Sequence, residues 1–436
     1  MPGMGIPELP IPDGLVLRPF RGVRFAVEDP AKVTSPPYDL ISDADVEVLL
    51  DSHPNNVVRL ILPCTPSGDS SGTTSLAAEQ PSPTRYAEAR ETLRAWLDSG
   101  VLVPDEVPAL YVYEQSGPGV LQRGLIGDVA LADPARRVIL PHEDVMPGPV
   151  ADRLALMRAT EANLEPIFLI YEGGGTASRL VEEEAERRSP IADVTTPDGV
   201  RHRLWAMIDP AAIAAVAEDL KGRRALIADG HHRYATYEAL RRERPGPGPW
   251  DHGLAYLVDS ALYPPQISAI HRVIPGLPLE DAVNRAKGAC QVHEFSSLEA
   301  GLQALEAAKE PAFLLAGQGP AAHLLTDPDP LQLEHAMPAE RSAEWRALPT
   351  SILTCFLLPK VWGIQDGEET VQVVHHDPLA AVELARRKDG TAVLLNPIRF
   401  PDVLAIAAQG ERVPRKSTSF GPKPRTGLVM RLFAAG

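Results

Sequence analysis

The chain has 436 residues, with 42 Lys+Arg against 58 Asp+Glu and a net charge of −16. Such a surface repels phosphate backbones at long range, which argues against a nucleic-acid partner but leaves room for a local pocket holding a small phosphate. The length suits two or three fused units, a hydrophobic fraction of 44% can build real cores, 44 Pro and 33 Gly predict long loops, and three scattered cysteines exclude a disulfide framework or a CxxC metal site.

The N-terminal MPGMGIPELPIPDG has neither a basic nor an apolar signal region. No apolar run along the chain approaches the ~18 residues of a membrane span. The expectation is a soluble, cytoplasmic protein without a membrane partner. In SDADVEVLLDSHP, Ser42 reads as an N-cap with Asp45 in capping-box position. Residues 64–84 are low-complexity, rich in Ser, Gly, Pro and Thr, and predict a flexible insertion. Helical spacing follows at Tyr86, Ala89, Leu93 and Leu97, ending at Gly100.

Strands are predicted at 109–114, 123–131 and 166–171, with the polar, proline-marked LPHEDVMPGPVADRL between the last two. There Glu143 follows a strand-like piece, and Asp152 and Arg153 open a helix. VRHRLWAMI (200–208) alternates like a half-buried strand, and PAAIAAVAEDL is a short helix. ALIAD (225–229) is a compact apolar strand leading into the helix HHRYATYEALRRER. From about 278 onward, helices (279–288, 297–308, 378–387) alternate with strands (312–316, 369–374, 391–396). No internal repeat is present. The alternation predicts an α+β, mixed α/β architecture, divided as an N-terminal region 1–120, a core 121–277 and a C-terminal region 278–436.

The segment richest in chemistry is ALIADGHHRYATYEALRRE. A strand ends at Asp229, Gly230 makes the turn, and a helix begins at His231 or His232. Such a junction aims backbone N–H groups and the positive helix end at one spot, and Arg233 adds a guanidinium fork. Cations there oppose the helix dipole unless an anion is bound. The bland reading is an ordinary α/β turn with Asp229 as a cap. Adjacent histidines point about 100° apart on a helix, unlike the i,i+4 pair of a zinc helix. Glu143 reads either as a solvated loop carboxylate or as a general base, and a base with a phosphate cradle is the minimum equipment for moving phosphoryl to a hydroxyl. In GERVPRKSTSFGPKPRTG (410–427), Arg412, Arg415, Lys416, Lys423 and Arg425 surround Ser417 and Thr418. This is either a solvated tail or an ordered phosphate loop. His375 and His376 read as surface, Cys355 as core.

The strings SPPYDLIS, HPNNVVRLILP, YVYEQ, RGLIGDV, LPHE, DRLALMRATEANLEPIFLIY, GVRHRLW, IADGHHRYAT and KSTSFGPKPRTGLV together resemble, over nearly the whole chain, the bacterial domain-of-unknown-function 1015 family. PHE followed by DGHHR is similar to the motif pair of free-serine kinases, which have a ParB/sulfiredoxin-like fold. That resemblance implies a ParB/sulfiredoxin-like core with additional N- and C-terminal α/β regions. It implies a kinase that phosphorylates the hydroxyl of free serine or a similar small hydroxy amino acid, with ATP or ADP as donor and Mg²⁺. It makes Glu143 the base, with Asp229 and His232 in the catalytic set. Gly230, His231 and Arg233 would hold phosphate, joined by Asp152, Arg153, Lys416, Ser417 and Thr418. Sulfiredoxins carry a cysteine where His231 stands here, so their thiol chemistry is excluded. ParB-type switches work beside DNA-binding helices, which the net charge disfavours. A non-catalytic nucleotide-binding regulator of the same superfamily is the alternative. Two stretches depart from the family pattern, AIHR (269–272) in place of PTHR and STSFGPK in place of STYFYPK, and these bear on substrate choice.

Overall fold

A computed structural model describes residues 14–63, 83–367 and 369–435. The expected insertion at 64–84 lies outside the described residues except for its last two, which begin a helix. The chain divides into two compact units. The first holds the residues up to Pro141, Val145–Pro264 and everything from Pro422 on; the second holds His142–Asp144 and Pro265–Gly421. The architecture is mixed α/β, as the alternation of elements predicts.

The first unit is built on a nine-stranded sheet. Its strands are Leu17–Arg18 (β1), Leu110–Gly117 (β2), Val120–Ala130 (β3), Ile139–Leu140 (β4), Ile167–Tyr171 (β5), Ala192–Thr195 (β6), Arg201–Met207 (β7), Ala225–Asp229 (β8) and His252–Asp259 (β9). Their spatial order is β4-β8-β5-β9-β3-β2-β7-β6, with β1 pairing β3. The pairs β8–β4 and β9–β5 are parallel and the others antiparallel. Central strands such as IFLIY and ALIAD are buried along their whole length, which is why they read as continuous apolar runs and not as alternating ones.

Helices Asp43–Ser52 (α1), Pro83–Asp98 (α2), Pro147–Thr160 (α3), Thr176–Arg187 (α4), Pro210–Leu220 (α5) and His231–Glu243 (α6) belong to this unit. The capping box at α1 is present, with Ser42 and Asp45 bonding each other's backbone amides. In α2 the buried stripe is Tyr86, Ala89, Leu93 and Trp96, so Trp96 takes the inner place expected of Leu97. One apolar cluster joins Leu169, Ile227 and Leu257 of the sheet with Val181, Val216 and Tyr237 of the helices. A second joins Val46, Tyr86, Leu93 and Leu156.

In the second unit a six-stranded sheet comprises Ile270–Ile274, Gln291–Phe295, Phe313–Ala316, Ala322–Thr326, Gln372–His375 and Thr391–Leu394. All its pairs are antiparallel. Leu314, Leu324 and Leu394 pack with Leu305, Ala381 and Ala385 of two helices, Leu298–Ala307 and Pro378–Arg387. A separate short ladder pairs Gln266–Ser268 with Ser419–Gly421. Of the remaining expectations, His375 and His376 are exposed and Cys355 is half-buried.

Candidate functional site

In the first unit the chemistry gathers where β8 meets α6. A register shift between Ile227 and Asp229 breaks the β8–β5 ladder, and a bulge of this kind re-aims the side chain that follows it. Gly230 then turns the chain with φ +92°, a conformation L side chains rarely adopt. A Cβ there would also sit 3.0 Å from the Ile167 side chain. The helix begins at His231 with Gly230 as its N-cap, and no side chain caps it. Asp229 is therefore not the cap.

Asp229 instead sits between two cations. Its Oδ2 accepts from the Arg233 guanidinium at 2.5 Å, and its Oδ1 lies 2.5 Å from the Lys423 ammonium. Lys423 also bonds Asp39. Arg233 is buried and donates a second bond to the Pro166 carbonyl at 2.5 Å. Burial opposes charge on Arg233, but Glu165, Asp229 and Asp39 outweigh it and hold the guanidinium above its ordinary pKa. Burial likewise opposes the charge on Lys423, and Asp229 with Asp39 outweighs it, raising its pKa. Asp39 shows the mirror image: burial pushes its pKa up, Lys423 and Arg233 pull harder, and the net direction is down. Next to it, burial drives the Tyr38 phenol up to about 12, and its ring lies under the Arg153 guanidinium at 4.4 Å and that of Arg233 at 5.8 Å. The Tyr38 amide and the Thr426 hydroxyl both donate to Glu165, at 3.0 and 3.1 Å.

His232 Nε2 accepts the Met146 amide at 3.1 Å, so its remaining ring proton lies on Nδ1. His231 is buried. Asp152 and Arg153 lie in the second turn of α3, which starts at Pro147, and so do not open that helix. Asp152 accepts from Arg153 Nε at 2.8 Å and from Tyr86 at 2.6 Å, and pairs with Arg85. Burial raises the Asp152 pKa, but Arg153, Tyr86 and Arg85 bring it below the usual carboxylate value. Arg153 also donates to the Ile61 carbonyl at 2.6 Å. Both side chains are thus engaged within the first unit.

A glycine-rich turn at 172–176 leads into α4 and looks like a second anion cradle. Its amides are already used. Gly173 and Gly174 donate to the Asp259 carboxylate at 3.0 and 2.7 Å, and Ser178 bonds it too. Asp219 accepts the Ala177 amide at 2.9 Å. The chain's own acids fill this nest.

The second unit holds Glu143. The tripeptide His142–Asp144 belongs there although both flanking segments belong to the first unit. His142 is fully buried, its carbonyl accepts the Val413 amide at 2.9 Å, and its ring meets Phe420 edge-on at 5.4 Å. Thr418 Oγ1 lies 2.8 Å from His142 Nε2 and donates to Glu143 Oε1 at 3.1 Å. Ser417 is buried and bonds Thr350 at 2.9 Å and the Pro414 carbonyl at 2.5 Å. Lys416 is exposed in a left-handed conformation, φ +54°, and its carbonyl accepts from Arg272 at 2.9 Å. The basic run is thus an ordered segment, with Lys416 to Gly421 in the second unit and Lys423 and Arg425 in the first.

Sequence reasoning passed over Asp39 and Glu165 as site residues and counted Lys423 only as one cation of the basic run 410–427. Asp39 and Lys423 lie in the quoted strings SPPYDLIS and KSTSFGPKPRTGLV, but only the fold brings them to Asp229. Among the described residues no group of three or more His, Cys, Asp or Glu is arranged to hold a metal ion. No helix among them is long and apolar enough to cross a membrane.

No curated protein matches the chain. Solved structures similar to it include a free serine kinase variant in complex with AMP, at 13% identity and TM-score 0.35, covering 68% of this chain and 90% of that one. A second is a free serine kinase variant in complex with ADP, at 13% identity and TM-score 0.36 with the same coverage. A third is a conserved hypothetical protein from Pyrococcus furiosus, at 14% identity and TM-score 0.33, covering 68% and 94%. The family described as "Protein of unknown function (DUF1015)" matches residues 17–351, and the chain belongs to that family.

Proposed function

We propose that the protein is a nucleotide-dependent kinase with a ParB/sulfiredoxin-like core, transferring phosphate to the hydroxyl of free serine or a similar small hydroxy amino acid. The observation that carries this reading is the Gly230 turn. A helix without a side-chain cap starts there, so its first amides and positive dipole end suit an anion. The buried Arg233 and the half-buried Lys423 each pair with one oxygen of Asp229 beside the turn, so two cationic side chains stand ready next to the helix start. Asp229 acts as the anchor that holds both cations in place before a nucleotide arrives.

Glu143 takes the base role, accepting the proton of the acceptor hydroxyl as the oxygen–phosphorus bond forms and the bond to the leaving nucleotide breaks. Positioning and electrostatics supply most of the rate in such transfers. Asp39 and Asp229 already share an ammonium, and this pair does not fit as a cage for a divalent ion. Mg²⁺ would come with the nucleotide, and no step is assigned to it.

The test is direct. Purified protein is incubated with ATP or ADP, MgCl₂ and a panel of hydroxy amino acids, and phosphorylated product is read by mass spectrometry. Product with serine or a close analogue supports the reading. Nucleotide binding by calorimetry without product from any acceptor would instead make the protein a nucleotide-sensing regulator.

A further inference from the structure

The reading of Glu143 as a base leaves open what holds a carboxylate on a loop in one orientation. The answer lies in the second unit. An ionised carboxylate only accepts hydrogen bonds, so the Thr418 hydroxyl, 3.1 Å from Glu143 Oε1, must spend its single proton there. The same oxygen lies 2.8 Å from His142 Nε2. With its proton committed, Oγ1 can only accept, and His142 Nε2 must carry hydrogen. The direction of the whole chain, imidazole to hydroxyl to carboxylate, follows from that count.

We propose that Thr418 is a positioning residue for Glu143, and that His142 Nε2–H sets the direction of its hydroxyl. This replaces the expectation that Thr418 binds phosphate: its hydroxyl proton is given to the base. Local structure makes the arrangement rigid. His142 is fully buried against Phe420, and its carbonyl is tied to the Val413 amide. Ser417 is anchored to Thr350 and Pro414. Arg272 clamps the Arg415 and Lys416 carbonyls at 3.3 and 2.9 Å. After Thr418 the chain enters the Gln266–Ser268 ladder at Ser419. A short, branched hydroxyl held from both sides loses little freedom on making these bonds, which suits a residue that orients another.

The inference rests on the base role of Glu143, so its test has two readouts in the full-length chain. In the first, ¹⁵N-labelled histidine is observed by NMR, with the His142 signal assigned by its loss in His142→Gln. The expected state has hydrogen on Nε2 in the wild-type protein; an Nε2 without hydrogen overturns the proposal whether or not the protein transfers phosphate. In the second, Thr418→Val lowers kcat roughly 10–100-fold with KM for nucleotide and acceptor within about twofold, and Thr418→Ser restores kcat. A valine variant with unchanged kcat, or a serine variant as slow as valine, overturns it. If the wild-type protein moves no phosphate to any acceptor, the kinase reading fails, and the ring-proton measurement still decides the hydrogen-bond chain.

Discussion

Lys423 Nζ lies 2.5 Å from Asp229 Oδ1, joining residues 194 positions apart in sequence at the turn that starts helix α6. Lys423 and Arg233 neutralise Asp229 from two sides, and Lys423 also serves Asp39. Lys423 is half-buried and Asp39 exposed, while the buried Asp229 keeps Arg233 as a partner, so losing the ammonium costs less than breaking a fully buried pair. Lys423→Met is expected to lower unfolding free energy by about 1–3 kcal/mol, read by urea denaturation.

The same cluster sets a pH window. Asp39 is held below its ordinary pKa by Lys423 and Arg233 against the opposing effect of burial, so it adds stability above pH ~4 that is lost as pH falls. Lys423 is held above its ordinary value, so its share is present below pH ~10 and lost as pH rises further. Urea midpoints recorded from pH 8 to 11 should fall for the wild-type protein and fall less steeply for Lys423→Met.

His202 of strand β7 titrates in the opposite sense to a paired histidine. It is buried between the Tyr113 hydroxyl at 2.8 Å and the Thr196 hydroxyl at 3.3 Å. Burial, helped by Arg425, brings its pKa down to about 4. The unfolded chain binds this proton near pH 6.5, so the neutral ring's contribution is complete above that pH and is lost as pH falls toward 4. The difference is worth about 3 kcal/mol at most. NMR should show the His202 ring unprotonated at pH 5.5, and His202→Gln should flatten the stability loss between pH 6.5 and 4.

Gly230→Ala tests the turn itself. The left-handed φ and the 3.0 Å approach to Ile167 predict a loss of about 1–3 kcal/mol. A weaker nucleotide affinity by calorimetry should accompany it. Unchanged stability would mean the turn accepts a side chain.

Much of this was legible in the sequence because the relevant signals are local. ALIAD and IFLIY are apolar runs, Ser42 and Asp45 form their own cap, and Gly230 marks a strand-to-helix turn by residue type alone. The partners of that turn were not legible. Asp39 and Lys423 are charged residues in proline-rich stretches, and nothing in their neighbours signals the ion pairs that join Lys423 to Asp39 and to Asp229. Arg233 looked like a misfit at a positive helix end, and only the folded chain shows Asp229 and Glu165 compensating it. Lys416, Ser417 and Thr418 read as one phosphate loop because hydroxyls beside lysines fit phosphate. Thr418 is committed to Glu143 and His142, and Ser417 to Thr350, across separations of 67 to 276 residues that no spacing rule reaches.

Glu143→Gln separates a proton-accepting Glu143 from one that only lines the loop. The amide keeps the size of the side chain but cannot take a proton at neutral pH. With ATP or ADP and serine, the wild-type protein is expected to give product, Glu143→Gln none, and both to bind nucleotide with the same affinity. Full turnover in the glutamine variant would mean that Glu143 is not the base.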